Sequence, residues 1–92
     1  MAHTIRQKTK LLNRVRRIRG QIEAVERALS EEKECTEVLH GIAAARGAIN
    51  GLMAEVLEDH IRNHVADPAN DPDVERAKGA EDLIDVVRSY LK

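Results

Sequence analysis

The sequence predicts an all-α fold of three helices, the first two long and paired as an antiparallel hairpin. Three observations carry this. Between Cys35 and His64 there is no Pro, and Val38, Ile42, Ala45, Ile49, Leu52 and Val56 recur at helical spacing. Leu11, Val15, Ile18, Ile22, Val25 and Leu29 step alternately by four and three, the seam of a helix packed along a helical partner. No stretch alternates apolar and polar residues with the period of two that a strand needs.

Taken in order, Met1 to His3 is a short tail. Thr4 with Gln7 three residues on makes a capping-box pattern, so helix 1 is expected over about 5–29, weakened locally by Gly20. Ser30-Glu31-Glu32-Lys33 is a tight polar turn that folds the chain back on itself. Helix 2 follows over about 33–64. Asp67-Pro68-Ala69-Asn70-Asp71-Pro72 reads as a loop, with Asp71 as N-cap and Pro72 at the first helical position. Helix 3 is expected over about 73–91, with Ala80, Leu83, Ile84, Val87, Tyr90 and Leu91 on its apolar face and Gly79 weakening its start.

Ninety-two residues are expected to make one domain, 1–92. Tyr90 is the only aromatic residue, so the core must be aliphatic. Helices of this length are about 40 Å long, whereas a compact chain of this size has a radius of gyration near 12 Å. One chain would leave apolar stripe uncovered, which implies an oligomer. No apolar run is long enough to cross a membrane, and no signal peptide is present. A single Cys allows no internal disulfide, so a reducing cytoplasm is the expected compartment.

A net charge of −1 hides a strong asymmetry. The first twenty residues hold Arg6, Lys8, Lys10, Arg14, Arg16, Arg17 and Arg19 and no acid. Such a run reads as a phosphate-contacting surface rather than a plain solvated face. Arg46 in helix 2 extends it. Lys10, Arg14, Arg16, Arg17, Arg19 and Arg46 are therefore the candidate contacts to double-stranded DNA, although no helix-turn-helix is apparent.

His60 and His64 are four residues apart, so they share a helix face and can grip one metal ion. Cys35 precedes His60 by 25 residues, roughly 37 Å along a helix, too far for one chain to join them. An antiparallel second copy, paired about a centre near Ala48 and Ile49, sets Cys35 opposite position 62 of its partner. Gly47 and Gly51 lie near that centre, and each costs about 1 kcal/mol in a helix interior; close helix approach is the expected reason. The result is a homodimer with two symmetric Cys/His sites. His3 falls near the same end in an antiparallel hairpin. Three imidazoles and a thiolate suit Ni(II), Co(II) or Zn(II), and further donors from the N-terminus favour Ni(II) or Co(II) over closed tetrahedral Zn(II).

KLLNRVRRIRGQIEAVERAL and ECTEVLHGIAAARGAINGLMAEVLEDHIRNH, which together span most of the chain, resemble the CsoR/RcnR family of bacterial repressors. The resemblance implies a dimeric helical bundle assembled into a tetramer. It also implies DNA binding without a helix-turn-helix, with the DNA released when a ligand binds at the Cys site. His3, Cys35, His60 and His64 match the ligand pattern of the family's nickel/cobalt branch, and the opening AHTIR is similar to that branch. The copper branch has a second Cys where His64 stands, and the persulfide branch has one near His60; this chain has neither. The formaldehyde branch is the rival. RVRRIRGQIEAVERAL is as similar to it, but its chemistry joins an N-terminal Pro amine to the Cys, and Ala2 stands here instead.

The expected function is a repressor that binds operator DNA as the apo protein. Ni(II) or Co(II) releases it and derepresses an efflux gene. The formaldehyde-responsive alternative would use Cys35 and the N-terminal amine. Two readings of another class are a metal-dependent hydrolase, with Glu58 or Asp59 as its only nearby base, and a metal-storage bundle. The absence of an HExxH motif speaks against the first, and the basic helix 1 speaks against the second.

Overall fold

A computed structural model of the chain describes the backbone of residues 2–91 and the side chains of residues 7–91. It holds three α-helices and no strand among these residues: α1 (Ala2–Ser30), α2 (Cys35–His60) and α3 (Val74–Tyr90). A π-helical turn, Ile61–Val65, continues α2. The chain divides into two compact units between Leu52 and Met53, within α2.

The first unit is a hairpin of α1 and the first part of α2. α1 starts at Ala2, earlier than the Thr4 cap suggested, and Thr4 lies inside it. Ala2 and His3 carry no helix breaker, and the first-turn N–H groups lack helical partners in any register. At the other end Glu32 takes a left-handed conformation, φ 55°. The Lys33 N–H bonds the Ala28 carbonyl (2.9 Å) and the Glu32 N–H bonds that of Leu29 (3.2 Å). This is a Schellman closure with Glu at the position that usually holds Gly. The Glu34 carbonyl then accepts from the N–H groups of Glu37 and Val38, opening α2 two residues later than its pattern predicted.

Packing splits the expected α1 seam into two rows. Leu11, Ile18 and Val25 are half-buried, interleaved with Arg14 and Gln21 and followed by buried Ala28. Val15, Ile22 and Leu29 stay exposed, at 45%, 49% and 61%. A step of four and three is two interleaved rows of seven, and the α2 partner covers one of them. On α2, Ala45 is buried, whereas Leu39, Ile42 and Ile49 are exposed. The close approach falls at Gly41, where a Cβ would stand 3.0 Å from Val25 Cγ2. Sequence reading assigned Gly47 and Gly51 to an approach between two copies, not to this contact within one chain. A Cβ at Gly47 would meet nothing within 4 Å, and one at Gly51 only the Arg14 guanidinium, at 3.8 Å.

In the second unit Ile61, Ala66, Ala80 and Ile84 form a small core with Val87 against it. Ile84 is only 2% exposed, while Leu83 and Tyr90 of the expected apolar face point outward. Asp73, not Asp71, caps α3: its carboxylate accepts from the Arg76 N–H at 3.1 Å. Asp71 holds the turn before it, accepting from the Asp73 N–H at 2.9 Å and from two Arg76 guanidinium nitrogens. Asp67 closes the preceding turn through the Ala69 N–H (3.0 Å) and the Asn70 amide (2.8 Å). The Asn70 amide and the Ala69 N–H hold the Asp67 carboxyl below its ordinary range. The Arg76 bond does the same for Asp71, and Asp71 in return holds the Arg76 guanidinium above its ordinary value.

No helix among the described residues is long and apolar enough to cross a membrane.

Candidate functional site

Helix 2 carries Cys35 and His60 as its first and last residues, and both are exposed. They are the two ends of one helix of 26 residues. Among the described residues no three His, Cys, Asp or Glu side chains come close enough to hold a metal ion. The His3 side chain lies outside the described residues. Of the four expected ligands, the structure brings together two.

Those two meet through the π-helical turn. The Ala66 N–H bonds the Ile61 carbonyl at 2.9 Å, a five-residue closure that widens the helix after His60. In an α-helix residues four apart overshoot one turn by about 40°; a wider turn brings them nearer to eclipsed. The His60 and His64 ring centroids are 5.0 Å apart with planes tilted 34°. A metal with N–metal bonds of about 2.1 Å needs ligand nitrogens roughly 3 Å apart at a right angle, which rotation of two exposed rings at this separation can supply. The π turn is not legible in the sequence, because an i, i+4 pattern looks the same in either register.

Glu58, beside this pair, is committed elsewhere. Its carboxylate ion-pairs with Arg88 of α3 and with Arg62 at 3.4 Å, and its side chain is 16% exposed. Two guanidiniums on one carboxylate tie the end of α2 to α3, and the same carboxylate is poorly placed to act as a base. The Asp59 carbonyl accepts from the Asn63 amide at 2.7 Å.

The candidate DNA contacts fall on different sides of the hairpin. Arg14 is half-buried and its Nη1 donates to the Gly51 carbonyl at 3.2 Å, pinning α1 to α2. Arg14, Arg17 and Gln21 of α1 line a groove with Gly47 and Gly51 of α2, a cavity of about 250 Å³. The Gln21 Oε1 is buried without a partner among the described residues. Lys10 lies on this side of α1 by helical phase. Arg16 and Arg19 lie on another side: Arg16 bonds the Asn13 side chain at 3.2 Å, and Arg19 pairs with Glu23 at 3.7 Å. Arg46 is exposed, between Ile42 and Ile49 on the apolar stripe of α2. The groove was not foreseen, because its walls lie on two helices and only their pairing brings them together.

Comparison with known proteins gives a consistent picture. Residues 7–89 match the family described as metal-sensitive transcriptional repressor. Over its whole length the chain is 55% identical to an uncharacterised protein in the bioA 5′ region of Serratia marcescens, covering all of it. It is 44% identical, again over the full length of both chains, to the transcriptional repressor RcnR of Citrobacter koseri. Among solved structures it is similar to a glutamate-to-histidine variant of the formaldehyde-responsive regulator FrmR from Salmonella enterica serovar Typhimurium. The TM-score is 0.63 and the identity 46%, over 90% of this chain and 92% of that one.

Proposed function

We propose that this chain, which belongs to the family of metal-sensitive transcriptional repressors, holds operator DNA as the apo protein and lets go when Ni(II) or Co(II) binds. The family is one of repressors, not enzymes, and the double ion pair of Glu58 fits that. The observation that carries the metal reading is the His60–His64 pair, two exposed imidazoles side by side at the end of α2.

A usable site needs Cys35 as well, and one chain keeps it at the far end of the same helix. An antiparallel second copy brings its Cys35 to this chain's His60 and His64. His3 adds a third imidazole, and the N-terminus further donors. A thiolate with three imidazoles suits Ni(II) and Co(II), with Zn(II) also accepted. Bound metal then draws on both ends of α2 in two chains at once. Metal and DNA oppose each other through α2, to which Arg14 of α1 is pinned at Gly51, with a coupling of about 1–3 kcal/mol. In this reading the protein is a cytoplasmic homodimer or homotetramer, each chain acting as one domain, with Lys10, Arg14 and Arg17 leading the contact to phosphates.

A second reading has support of its own: a glutamate-to-histidine variant of the formaldehyde-responsive regulator is 46% identical and the transcriptional repressor RcnR 44%, so identity does not choose between them. In that reading Cys35 and the N-terminal amine are bridged by the aldehyde carbon, and His64 has no part. Titrating Ni(II), Co(II) and formaldehyde into complexes with DNA from the chain's own promoter region separates the two. Under the metal reading Cys35→Ala abolishes every response, His64→Leu blunts metal release, and apo binding stays intact in both. Wild-type metal sensitivity in His64→Leu, with release of the wild type by low formaldehyde, would replace the metal by the aldehyde.

A further inference from the structure

We propose that the groove between Arg14, Arg17 and Gln21 of α1 and Gly47 and Gly51 of α2 is the seat of one backbone phosphate of the bound DNA, and that Gly47 is its floor. This rests on the DNA-binding reading above and assigns it a place.

Size comes first. A cavity of about 250 Å³ falls below the roughly 300–1,000 Å³ of pockets that enclose organic ligands. It fits a group rather than a molecule. Charge comes second: the lining includes two guanidiniums and no acid. Planar guanidinium forks match the oxygens of a phosphate, and the Gly51 carbonyl holds one of them in place.

Gly47 supplies the third argument. A glycine in a helix interior costs about 1 kcal/mol against alanine. Nothing in the chain lies within 4 Å of where its Cβ would be, so internal packing gives no reason for it. Contact with a second copy gives no better one. The exposed apolar stripe of α2, Leu39, Ile42 and Ile49, is where another chain would pack. Gly47 and Gly51 lie about 130° and 170° around the helix from the centre of that stripe. They face the groove, and a methyl group at position 47 would stand where the phosphate oxygens enter.

The test uses the full chain with Gly47→Ala, and Gly20→Ala as control. Position 20 is also mid-helix with open space around it, and it does not line the groove. Thermal unfolding, sedimentation equilibrium and binding to a short mixed-sequence duplex across a salt series are measured for each. Both variants should be at least as heat-stable as the wild type. Gly20→Ala should bind DNA like the wild type. Gly47→Ala should bind about tenfold more weakly, its log affinity against log salt shallower by about 0.9, the share of one phosphate. Wild-type affinity and slope in Gly47→Ala overturn the proposal, as does a loss of binding that comes with a change in assembly mass. If the wild type shows no salt-dependent DNA binding at all, the DNA reading itself has failed.

Discussion

One edge of the α1–α2 hairpin carries Leu12, Val15, Ile22 and Leu29 beside Leu39, Ile42 and Ile49, all exposed. The other carries Arg14, Arg17 and Gln21 beside Gly47 and Gly51. Both edges come from the same two helices, and neither is explained by the folding of one chain. The apolar edge leaves large aliphatic side chains in water, which only another protein surface relieves. The basic edge leaves out side chains where a helix would prefer Ala, and the proposed phosphate seat uses that space. Under the proposed function the hairpin meets its own kind along one edge and DNA along the other, and can pass a change at the first to the second.

The largest expected effect lies on the apolar edge. Ile42 and Ile49 are 47% and 42% exposed in the single chain, so Asp at both positions costs the hairpin little. In an assembly each buried Ile contributes about 1.5–3 kcal/mol, and losing two removes about 3–6. Ile42→Asp/Ile49→Asp should therefore be monomeric at micromolar concentration by sedimentation equilibrium, with helical content unchanged. A double variant of wild-type mass would show that this edge is not the contact.

On the basic side the contrast is within α1. Arg17 lines the groove, whereas Arg19 faces away and pairs with Glu23. Arg17→Ala should weaken DNA binding about tenfold, near 1.4 kcal/mol, and flatten the salt dependence; Arg19→Ala should change it by about twofold or less. Equal losses in the two would mean that DNA wraps both sides of α1, and the division into edges would not hold for this helix.

A smaller effect separates the glycines. A Cβ at Gly41 would press on Val25 Cγ2. Overpacking costs about 1–3 kcal/mol, which cancels or exceeds the gain in helix propensity. Gly41→Ala should be about 2 kcal/mol less stable than Gly20→Ala in urea unfolding. Equal stability would mean that the hairpin yields at its tightest point.

The three helices and the polar turn were legible because apolar spacing is a property of each helix alone. The two-row packing of α1 was not. Leu11 and Val15 differ only in which of them meets α2, and that depends on how the hairpin is rotated. The same limit hid Gly41, the Arg14–Gly51 bond and the groove, each made by residues more than fifteen positions apart. The His pair was legible, yet the π turn that eclipses it was not. Around the α3 entry, Asp71 and Asp73 are both good caps by type, and the folded turn gives the cap to Asp73 while Asp71 binds the Asp73 N–H and Arg76.

The two turns that bound the helices offer the last and smallest comparison. The hairpin turn is closed by backbone bonds of Glu32 and Lys33, whereas the turn into α3 adds carboxylate bonds to its backbone ones. Asp67 and Asp71 both sit below the ordinary carboxylate range, through Asn70 and Arg76 respectively. A carboxyl lowered on folding stabilises the native state above its unfolded value, about 3.9 for Asp. That stability is lost as pH falls through the lower, folded value. The α3 entry should therefore loosen below about pH 4 while contributing fully at neutral pH. Asp71→Asn keeps an oxygen for the Asp73 N–H but loses the charge that holds Arg76. Its urea-unfolding stability should lie below wild type at pH 7 and converge on it as the pH falls past about 4. Because the Arg76 side chain is exposed, the gap should also narrow with added salt. Parallel stability curves for the two proteins across that range would mean that the Asp71–Arg76 latch does not hold the start of α3.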